Sequence, residues 1–250
     1  MLDANISVEN PFFIFFPERS GSTFLVHLLN QHPDIYCDHE VFATRKIPGE
    51  DRRFEPLVKS DSEKIQILEK VYSYQEAKAS GFKFKFGIQY HQYPDVYRFF
   101  LQNVCSMKLI FLYRKNLLKM AISRQNLSKL LESGQPHFLD NQSQQGVGKL
   151  RLNLPYARSY IKRQQGEIEF YKRATEVFAN RMVVAYEDLC DKTDETLGQI
   201  FEFLNVGPTS SASAPPIKKI TDNSLENAIE NYSEMVEFFS KTPYAEFLDY

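Results

Sequence analysis

A continuous apolar run near the N-terminus constrains the fold more than any other feature of this sequence. Residues 12–16, F-F-I-F-F, lie between Pro11 and Pro17, and the turn E-R-S-G-S-T follows. Such a run predicts a strand that is buried on both faces, as the central strands of parallel sheets are. Apolar residues with helical spacing predict a helix at about 23–31, which Pro33 terminates. The sequence therefore opens with a strand, a short turn and a helix.

The alternation of strands and helices continues along the chain. Further strands are expected at 35–37, 82–90, 108–113 and 182–186. Helices are expected at about 62–73, at 117–131 with Asn116 as N-cap, at 155–178, after a Thr193 cap, and from Ser224 onward. The charged stretch around Pro48, Gly49 and Pro56 is expected to be a loop. This order predicts one α/β domain over residues 1–250, a P-loop-like three-layer fold with a mainly parallel central sheet flanked by helices.

Three further stretches have recognisable patterns. In residues 82–90 the apolar side chains face one way and Lys83, Lys85 and Gln89 the other, which predicts a strand with one basic face. Residues 132–152 are rich in Gly, Gln, Asn and Ser, which is typical of a lid or acceptor-binding loop and equally of a disordered surface loop. Residues 209–250 are expected to hold a linker and a C-terminal helix.

Composition argues against several classes of function. The 250 residues carry 30 Lys and Arg against 32 Asp and Glu, which disfavours a protein that coats nucleic acid or a membrane surface. No apolar run approaches the roughly 20 residues of a membrane span. Cys37, Cys105 and Cys190 lie far apart, and no His, Cys or carboxylate spacing is typical of a metal site. A reducing, cytoplasmic setting without a bound metal is therefore expected.

The turn after the first strand suits an anion. Amide groups at a helix N-terminus lack intrahelical partners, and the helix dipole adds roughly half a positive charge there. The turn adds one fixed cation, Arg19, the flexible Gly21, and the hydroxyls of Ser20, Ser22 and Thr23. A phosphate group is the expected occupant. The turn lacks the paired glycines and the lysine of G-x-x-x-x-G-K-[ST], which argues against a nucleoside triphosphate.

A second basic segment indicates a second phosphate. Between Val96 and Leu131 the chain carries several Lys and Arg residues and no Asp or Glu. Arg114 follows a predicted strand, and Ser123 lies inside the next predicted helix. Since open α/β sheets bind ligands beyond the carboxyl ends of their strands, both residues are expected to grip a second phosphate of one nucleotide. A solvated basic helix face is the other interpretation.

These motifs carry a family resemblance. F-P-E-R-S-G-S-T-F-L at 16–25 resembles the 5′-phosphosulfate loop of sulfotransferases that use 3′-phosphoadenosine 5′-phosphosulfate, abbreviated PAPS. F-L-Y-R-K-N-L-L-K-M-A-I-S-R at 111–124 resembles the 3′-phosphate motif of the same family, and V-A-Y-E-D-L at 184–189 is similar to its C-terminal region. The R-S-G-S-T form resembles the bacterial and Golgi carbohydrate-type enzymes, and without a visible anchor the chain is more similar to the soluble bacterial members.

The resemblance implies a donor and a set of contacts to it. PAPS would be the co-substrate and the desulfated nucleotide PAP the product, with no metal required. The loop at 17–24 would bind the 5′-phosphosulfate through Arg19, Ser20, Gly21, Ser22, Thr23 and Phe24. Arg114 and Ser123 would bind the 3′-phosphate, and Lys218 and Lys219 would close over the nucleotide. Arg19 would also stabilise the charge that builds on the departing 5′-phosphate.

The acceptor is expected to be a small molecule or a carbohydrate with a hydroxyl or an amine. Glu40 in D-H-E-V-F is the first candidate for the general base, with His39 and His91 as competitors. Glu40, Lys83, Lys85 and His91 are expected to line the acceptor side, although the two lysines also fit a solvated strand face. Two other functions stay open: a P-loop kinase that uses ATP and magnesium, and a non-catalytic module that binds PAP or a sulfated ligand.

Overall fold

The structure is a computed structural model that describes residues 2–46, 54–132, 149–209 and 224–248. The chain divides into two compact units, residues 1–113 with 170–214, and residues 114–169 with 215–250. The single domain expected from the sequence stays a prediction. Most of the expected lid, the linker and both Lys218 and Lys219 lie outside the described residues.

The first unit is built on a five-stranded sheet. The strands in chain order are β1 (Asn10–Phe16), β2 (Ile35–Asp38), β3 (Thr44–Lys46), β4 (Phe54–Pro56), β5 (Ala79–Lys85), β6 (Lys108–Tyr113) and β7 (Asn180–Ala185). The sheet has the order β2-β5-β1-β6-β7, and every neighbouring pair is parallel. β1 is therefore the central strand, and all seven of its residues are buried, as the apolar run predicts.

Helices connect these strands and form most of the described second unit. They are α1 (Ser22–Leu29), α2 (Asp61–Tyr72), α3 (Ile88–Gln92), α4 (Pro94–Gln102), α5 (Leu117–Glu132), α6 (Leu154–Ala174), α7 (Tyr186–Asp191), α8 (Thr193–Phe203), α9 (Leu225–Ala228) and α10 (Tyr232–Ser240). Short 3-10 turns follow at Thr175–Val177 and Ala245–Leu248. None of the described helices is long and apolar enough to cross a membrane.

Alternate residues of β1 pack against helices on the two faces of the sheet. Phe12, Ile14 and Phe16 belong to a core that includes apolar side chains of α1 and α8. Phe13 points the other way and stacks on Phe100 of α4, with 4.0 Å between ring centroids. Burying each phenylalanine contributes about 1.5–3 kcal/mol to stability. The first unit is thus a three-layer α/β structure, which confirms the predicted fold class.

Several predicted elements have the bounds that the sequence indicates. The strand predicted at 108–113 is β6 with the same limits. The helix predicted from 117 is α5, and Asn116 caps it because its Oδ1 accepts a hydrogen bond from the Lys119 amide at 2.8 Å. The predictions at 35–37 and 62–73 correspond to β2 and α2 within one residue. Local sequence therefore determines these elements.

The strand predicted at 82–90 is wrong in its second half. β5 ends at Lys85, and residues 88–92 form α3. Gly87 has a φ of 71°, a conformation that favours glycine, and it turns the chain away from the sheet. The predicted basic face is also wrong, because Lys83 is buried on β5, an interior strand of the sheet, and Gln89 lies on a helix.

Three other predictions need correction. Thr193 does not cap α8, because its hydroxyl donates to the Leu189 carbonyl at 2.7 Å and the chain is already helical at this residue. Part of the expected loop around Pro56 forms β3 and β4, which pair antiparallel. The helix predicted from Ser224 is two helices, α9 and α10, with Asn231 between them.

Asn231 interrupts the C-terminal helix because its side chain binds the backbone elsewhere in the second unit. Its Oδ1 accepts from the Leu152 amide at 2.8 Å, and its Nδ2 donates to the Leu152 carbonyl at 3.1 Å. Next to it, Ile229 forms a parallel bridge with Leu150. This buried amide satisfies both backbone groups of Leu152, which lies outside any helix or strand.

We expect Asn231→Ala to lower the free energy of unfolding by about 2–4 kcal/mol, since it leaves two buried backbone groups without partners. For a chain of this size the melting temperature should fall by about 5–10 °C. Calorimetry or circular dichroism measures the change. The control is Asn227→Ala on the exposed side of α9, which should melt within 2 °C of wild type, roughly the spread of neutral surface substitutions. Equal melting of both variants would contradict a structural role for the Asn231 amide.

Candidate active site

The turn after β1 has an unusual backbone. Arg19 has a φ of 63° and Gly21 a φ of 84°, so two left-handed residues flank Ser20. The left-handed conformation costs a non-glycine residue such as Arg19 about 1–2 kcal/mol. Such turns direct successive N–H groups toward one point and form concave anion sites. The loop predicted at 17–24 therefore has the backbone of an anion cradle.

The start of α1 is the second feature that suits an anion. No described side chain caps this helix, and its first turn contains no acidic residue. The first amides of a helix have no intrahelical acceptors, so they require an outside one. The Ser20 hydroxyl is fully buried and has no hydrogen-bond partner among the described residues. A buried hydroxyl in this state costs about 1–3 kcal/mol, which an anionic ligand in the cradle would offset.

Tyr186 packs directly on the loop. It is the first residue of α7, and a Cβ added to Gly21 would overlap its ring. The ring also meets Phe24 edge to face, with 6.1 Å between centroids. Position 21 thus requires glycine for two independent reasons, the positive φ and the close approach of Tyr186.

Lys83 connects this loop to the candidate base. Its Nζ donates a hydrogen bond to Thr23 Oγ1 at 2.9 Å and lies 3.7 Å from Glu40 Oε1. The ammonium group also lies 5.7 Å from the centre of the Phe16 ring. Only 6% of the Lys83 side chain is exposed, so the interpretation as a solvated lysine is wrong. Burial lowers the pKa of Lys83, and the nearby Glu40 carboxylate opposes that shift.

Glu40 lies just beyond the end of β2, with 38% of its side chain exposed. Its second oxygen, Oε2, accepts a hydrogen bond from Gln89 Nε2 at 3.2 Å. The same Gln89 side chain accepts the Lys85 amide through Oε1 at 2.6 Å. The carboxylate is thus in contact with Lys83 on one oxygen and Gln89 on the other, while part of it faces solvent.

Lys85, His39 and His91, the remaining candidates on the acceptor side, make their described contacts with other residues. Lys85 faces the loop, where its Nζ lies 3.8 Å from Glu18 Oε2. His39 is next to Glu40 in sequence, and its ring centroid lies 5.8 Å from that of His27. Partial burial and nearby cations lower the pKa of His39. His91 lies on α3 and contacts Tyr90, and none of its described contacts reaches Glu40 or Lys83.

Arg114 and Ser123 belong to the second unit. Arg114 directly follows β6 in the chain, and Ser123 lies in the middle of α5; both are half-buried. Their expected contact with a second phosphate stays a prediction. Within the described parts of the chain, no three His, Cys, Asp or Glu residues lie close enough to hold a metal ion together.

Tyr186, which packs on the loop, and Gln89, which contacts Glu40, were not among the predicted site residues. Tyr186 is in the V-A-Y-E-D-L segment, whose pattern gives no role to the ring. Gln89 was assigned to a strand face, and only the turn at Gly87 brings it to Glu40. Gly87, which lies inside the alternating run, is the sequence signal that could have indicated an end of β5 there.

Comparisons with known proteins show the family of this chain. Residues 11–209 match the family model described as Sulfotransferase family. The chain is similar to Nodulation protein H of Rhizobium tropici, with 24% identity over 96% of this chain and 93% of that protein. It is also similar to Nodulation protein H of Rhizobium meliloti, with 23% identity over 96% and 95%. A solved structure, the sulfotransferase domain from the Synechococcus PCC 7002 olefin synthase, aligns over 100% of this chain and 98% of that one, with 17% identity and a TM-score of 0.48.

We expect Gly21→Ala to destabilise the protein by about 2–4 kcal/mol, because alanine is strained at this φ and its methyl group overlaps the Tyr186 ring. Urea unfolding measures the loss. The matched control is Gly198→Ala in α8, where the site is open and the helical backbone suits alanine. That variant should gain about 0.5–1 kcal/mol. A Gly21→Ala protein as stable as wild type would show that the loop has a different conformation.

Proposed function

Because the chain belongs to the sulfotransferase family, whose model spans residues 11–209, we propose that it transfers the sulfuryl group of PAPS to a hydroxyl or an amine. The chain is an enzyme of that family, and in this proposal PAPS is its donor and PAP its product. The acceptor in this proposal is a small molecule or a carbohydrate. The observation that supports the proposal most strongly is the contact of Lys83 with both Thr23 of the loop and Glu40.

The loop supplies the donor side of the reaction. The amides at the start of α1 and the buried Ser20 hydroxyl suit the oxygens of a 5′-phosphosulfate. Arg19 stabilises the negative charge that develops on the 5′-phosphate oxygen as the bond from that oxygen to sulfur breaks. Since arginine stays protonated in proteins, Arg19 acts through its charge and its hydrogen bonds and not as an acid.

Lys83 and Glu40 supply the acceptor side. A new bond forms between the acceptor oxygen or nitrogen and sulfur, in line with the bond that breaks. Glu40 takes the proton of the acceptor, as a partly exposed carboxylate next to the donor loop can do. The Lys83 ammonium, which Thr23 holds at the loop, attracts the oxygens of the transferring sulfuryl group.

Two other functions fit the site less well. A kinase would need a lysine within its phosphate loop and a hydroxyl for magnesium, and the loop carries Arg19 with no Lys. A binding module would need the cradle alone. A binding module needs no partly exposed carboxylate beside its cradle, and here Glu40 lies 3.7 Å from the Lys83 ammonium that contacts the loop.

The experiment that tests this proposal is transfer of radiolabelled sulfur from PAPS to a defined panel of acceptors. The panel contains chitotetraose, maltotriose, p-nitrophenol, 2-phenylethanol and benzylamine, so that sugars, phenols, alcohols and amines are all represented. Labelled product from a hydroxyl or amine compound supports the proposal. Phosphoryl transfer from ATP with magnesium, in the absence of any transfer from PAPS, would replace it with the kinase.

We expect Arg19→Ala to lower kcat by about 10²–10³-fold, the usual loss when one group that stabilises transition-state charge is removed. PAP binding should weaken much less, since the helix amides remain. Steady-state kinetics and calorimetric titration with PAP give the two numbers. Arg173→Ala, at an exposed position late in α6, is the control and should keep both values. Unchanged turnover in Arg19→Ala would remove Arg19 from the transition state.

Arg114→Ala tests the 3′-phosphate assignment separately. We expect PAP affinity to fall by about 10–100-fold, as for the loss of charged hydrogen bonds. Binding of adenosine 5′-phosphosulfate, which lacks the 3′-phosphate, should be nearly unchanged. Calorimetric titration with both nucleotides measures the difference. Similar losses for both ligands would contradict a contact between Arg114 and the 3′-phosphate.

A further inference from the structure

We propose that Gln89 is a positioning residue that fixes the orientation of the Glu40 carboxylate, an inference that rests on the proposed role of Glu40 as base. Gln89 lies in the short helix α3, and only 2% of the residue is exposed. A glutamine is seldom so deeply buried unless both ends of its amide have partners. Here both ends do, and one of the partners is Glu40.

The acceptor end of the amide anchors Gln89 to the sheet. Its Oε1 accepts the backbone N–H of Lys85, the last residue of β5, at 2.6 Å. The backbone of Gln89 is fixed as well, because its carbonyl accepts the Tyr93 amide at 2.8 Å. Main-chain amides thus hold Gln89 at two points, its side-chain oxygen and its own carbonyl oxygen. Such an anchored amide presents its N–H group in one direction.

The donor end of the amide meets Glu40. Gln89 Nε2 lies 3.2 Å from Glu40 Oε2, while Lys83 Nζ lies 3.7 Å from Oε1. Each oxygen of the carboxylate therefore has its own contact, and together the two contacts fix the plane of the group. Because the amide is neutral, it adds direction without a second positive charge beside Glu40.

Glu40 needs such a restraint because its own backbone is not held in a helix or strand. Residue 40 lies after β2 ends at Asp38, in a stretch without helix or strand before β3. Its side chain is 38% exposed, so packing alone leaves it rotamer freedom. A displaced catalytic group can lower the rate by as much as about 10²-fold. Gln89 restricts the rotamers of Glu40 and keeps its carboxylate next to Lys83.

A purely structural role for Gln89 makes a different prediction, and substitutions separate the two. Gln89→Glu keeps an oxygen for the Lys85 amide and replaces the N–H group at Glu40 with a second carboxylate oxygen. Gln89→Met has a similar length and removes both contacts. If Gln89 only pins the turn after β5, the glutamate variant should behave as wild type. If it orients Glu40, both variants should lose turnover.

The test measures kcat, the KM for PAPS and PAP affinity at pH 8, with the panel compound on which wild type is most active. We expect Gln89→Glu and Gln89→Met to lower kcat by about 10–100-fold with PAP affinity unchanged. In a Glu40→Gln background neither substitution should lower kcat further, because both act through Glu40. Gln92→Glu makes the same charge change in the same helix and is the control, with wild-type kinetics expected.

Thermal unfolding of variants that exchange the side chains of residues 40 and 89 tests the contact between Glu40 and Gln89 without an acceptor substrate. Gln89→Glu should melt below wild type, because two carboxylates then face each other. The double variant Glu40→Gln with Gln89→Glu restores an amide opposite a carboxylate, so it should recover most of that loss. If the melting-temperature changes of the two single variants simply add in the double variant, the inference is overturned.

The outcomes distinguish the inference from the function on which it rests. Full turnover in Glu40→Gln would refute Glu40 as the base and with it the positioning role. A strong loss in Glu40→Gln together with wild-type kcat in Gln89→Glu would refute the positioning role alone and leave the proposed function intact.

Discussion

The buried ammonium group of Lys83 is the interaction on which the arrangement of the site depends. It lies on β5, beside the central strand β1, and reaches Thr23 at the start of α1 and the carboxylate of Glu40 after β2. Taking this cation out of water is costly, which is why burial lowers its pKa. The two oxygen partners offset part of that cost. They also bring together three segments that are far apart in sequence.

The apolar sheet makes such a costly site stable. β1 is buried along its whole length, and its phenylalanines pack against helices on both faces of the sheet. That rigid support allows the turn after β1 to keep two left-handed residues and a buried hydroxyl without a described partner. Strain and unmet hydrogen bonding at the end of a well-packed strand are typical of sites that await a ligand. In the proposed function that ligand is the 5′-phosphosulfate of PAPS.

The sequence predicts the parts of the fold that depend on neighbours in the chain. F-F-I-F-F predicts β1, K-L-I-F-L-Y predicts β6, and Asn116 marks the start of α5, because burial and capping act over a few residues. The sequence misses what distant contacts decide. The regular helical pattern after Ser224 breaks where Ile229 pairs with Leu150 and the Asn231 amide reaches Leu152. No local pattern contains those contacts.

The same division holds for the candidate site. The loop residues Arg19 to Thr23 could be predicted, since a strand, a tight turn and a helix place them together in sequence. The burial of Lys83 could not, because it depends on β5 lying between β2 and β1. The amide of Gln89 was hidden by an alternation that continues past Gly87, where the backbone leaves the sheet. Tertiary context thus supplies the groups around Glu40, while the loop is readable from the chain itself.

Thermal unfolding with PAP, 5′-AMP, or ATP with magnesium tests most directly whether this protein binds a nucleotide through two separate phosphates. A ligand at 100 times its dissociation constant adds about 2.7 kcal/mol to the free energy of unfolding, a rise of roughly 5–10 °C in a chain of this size. The account predicts such a rise with PAP and a clearly smaller one with 5′-AMP at the same concentration. A rise with ATP and magnesium alone, or no rise with any nucleotide, would contradict it.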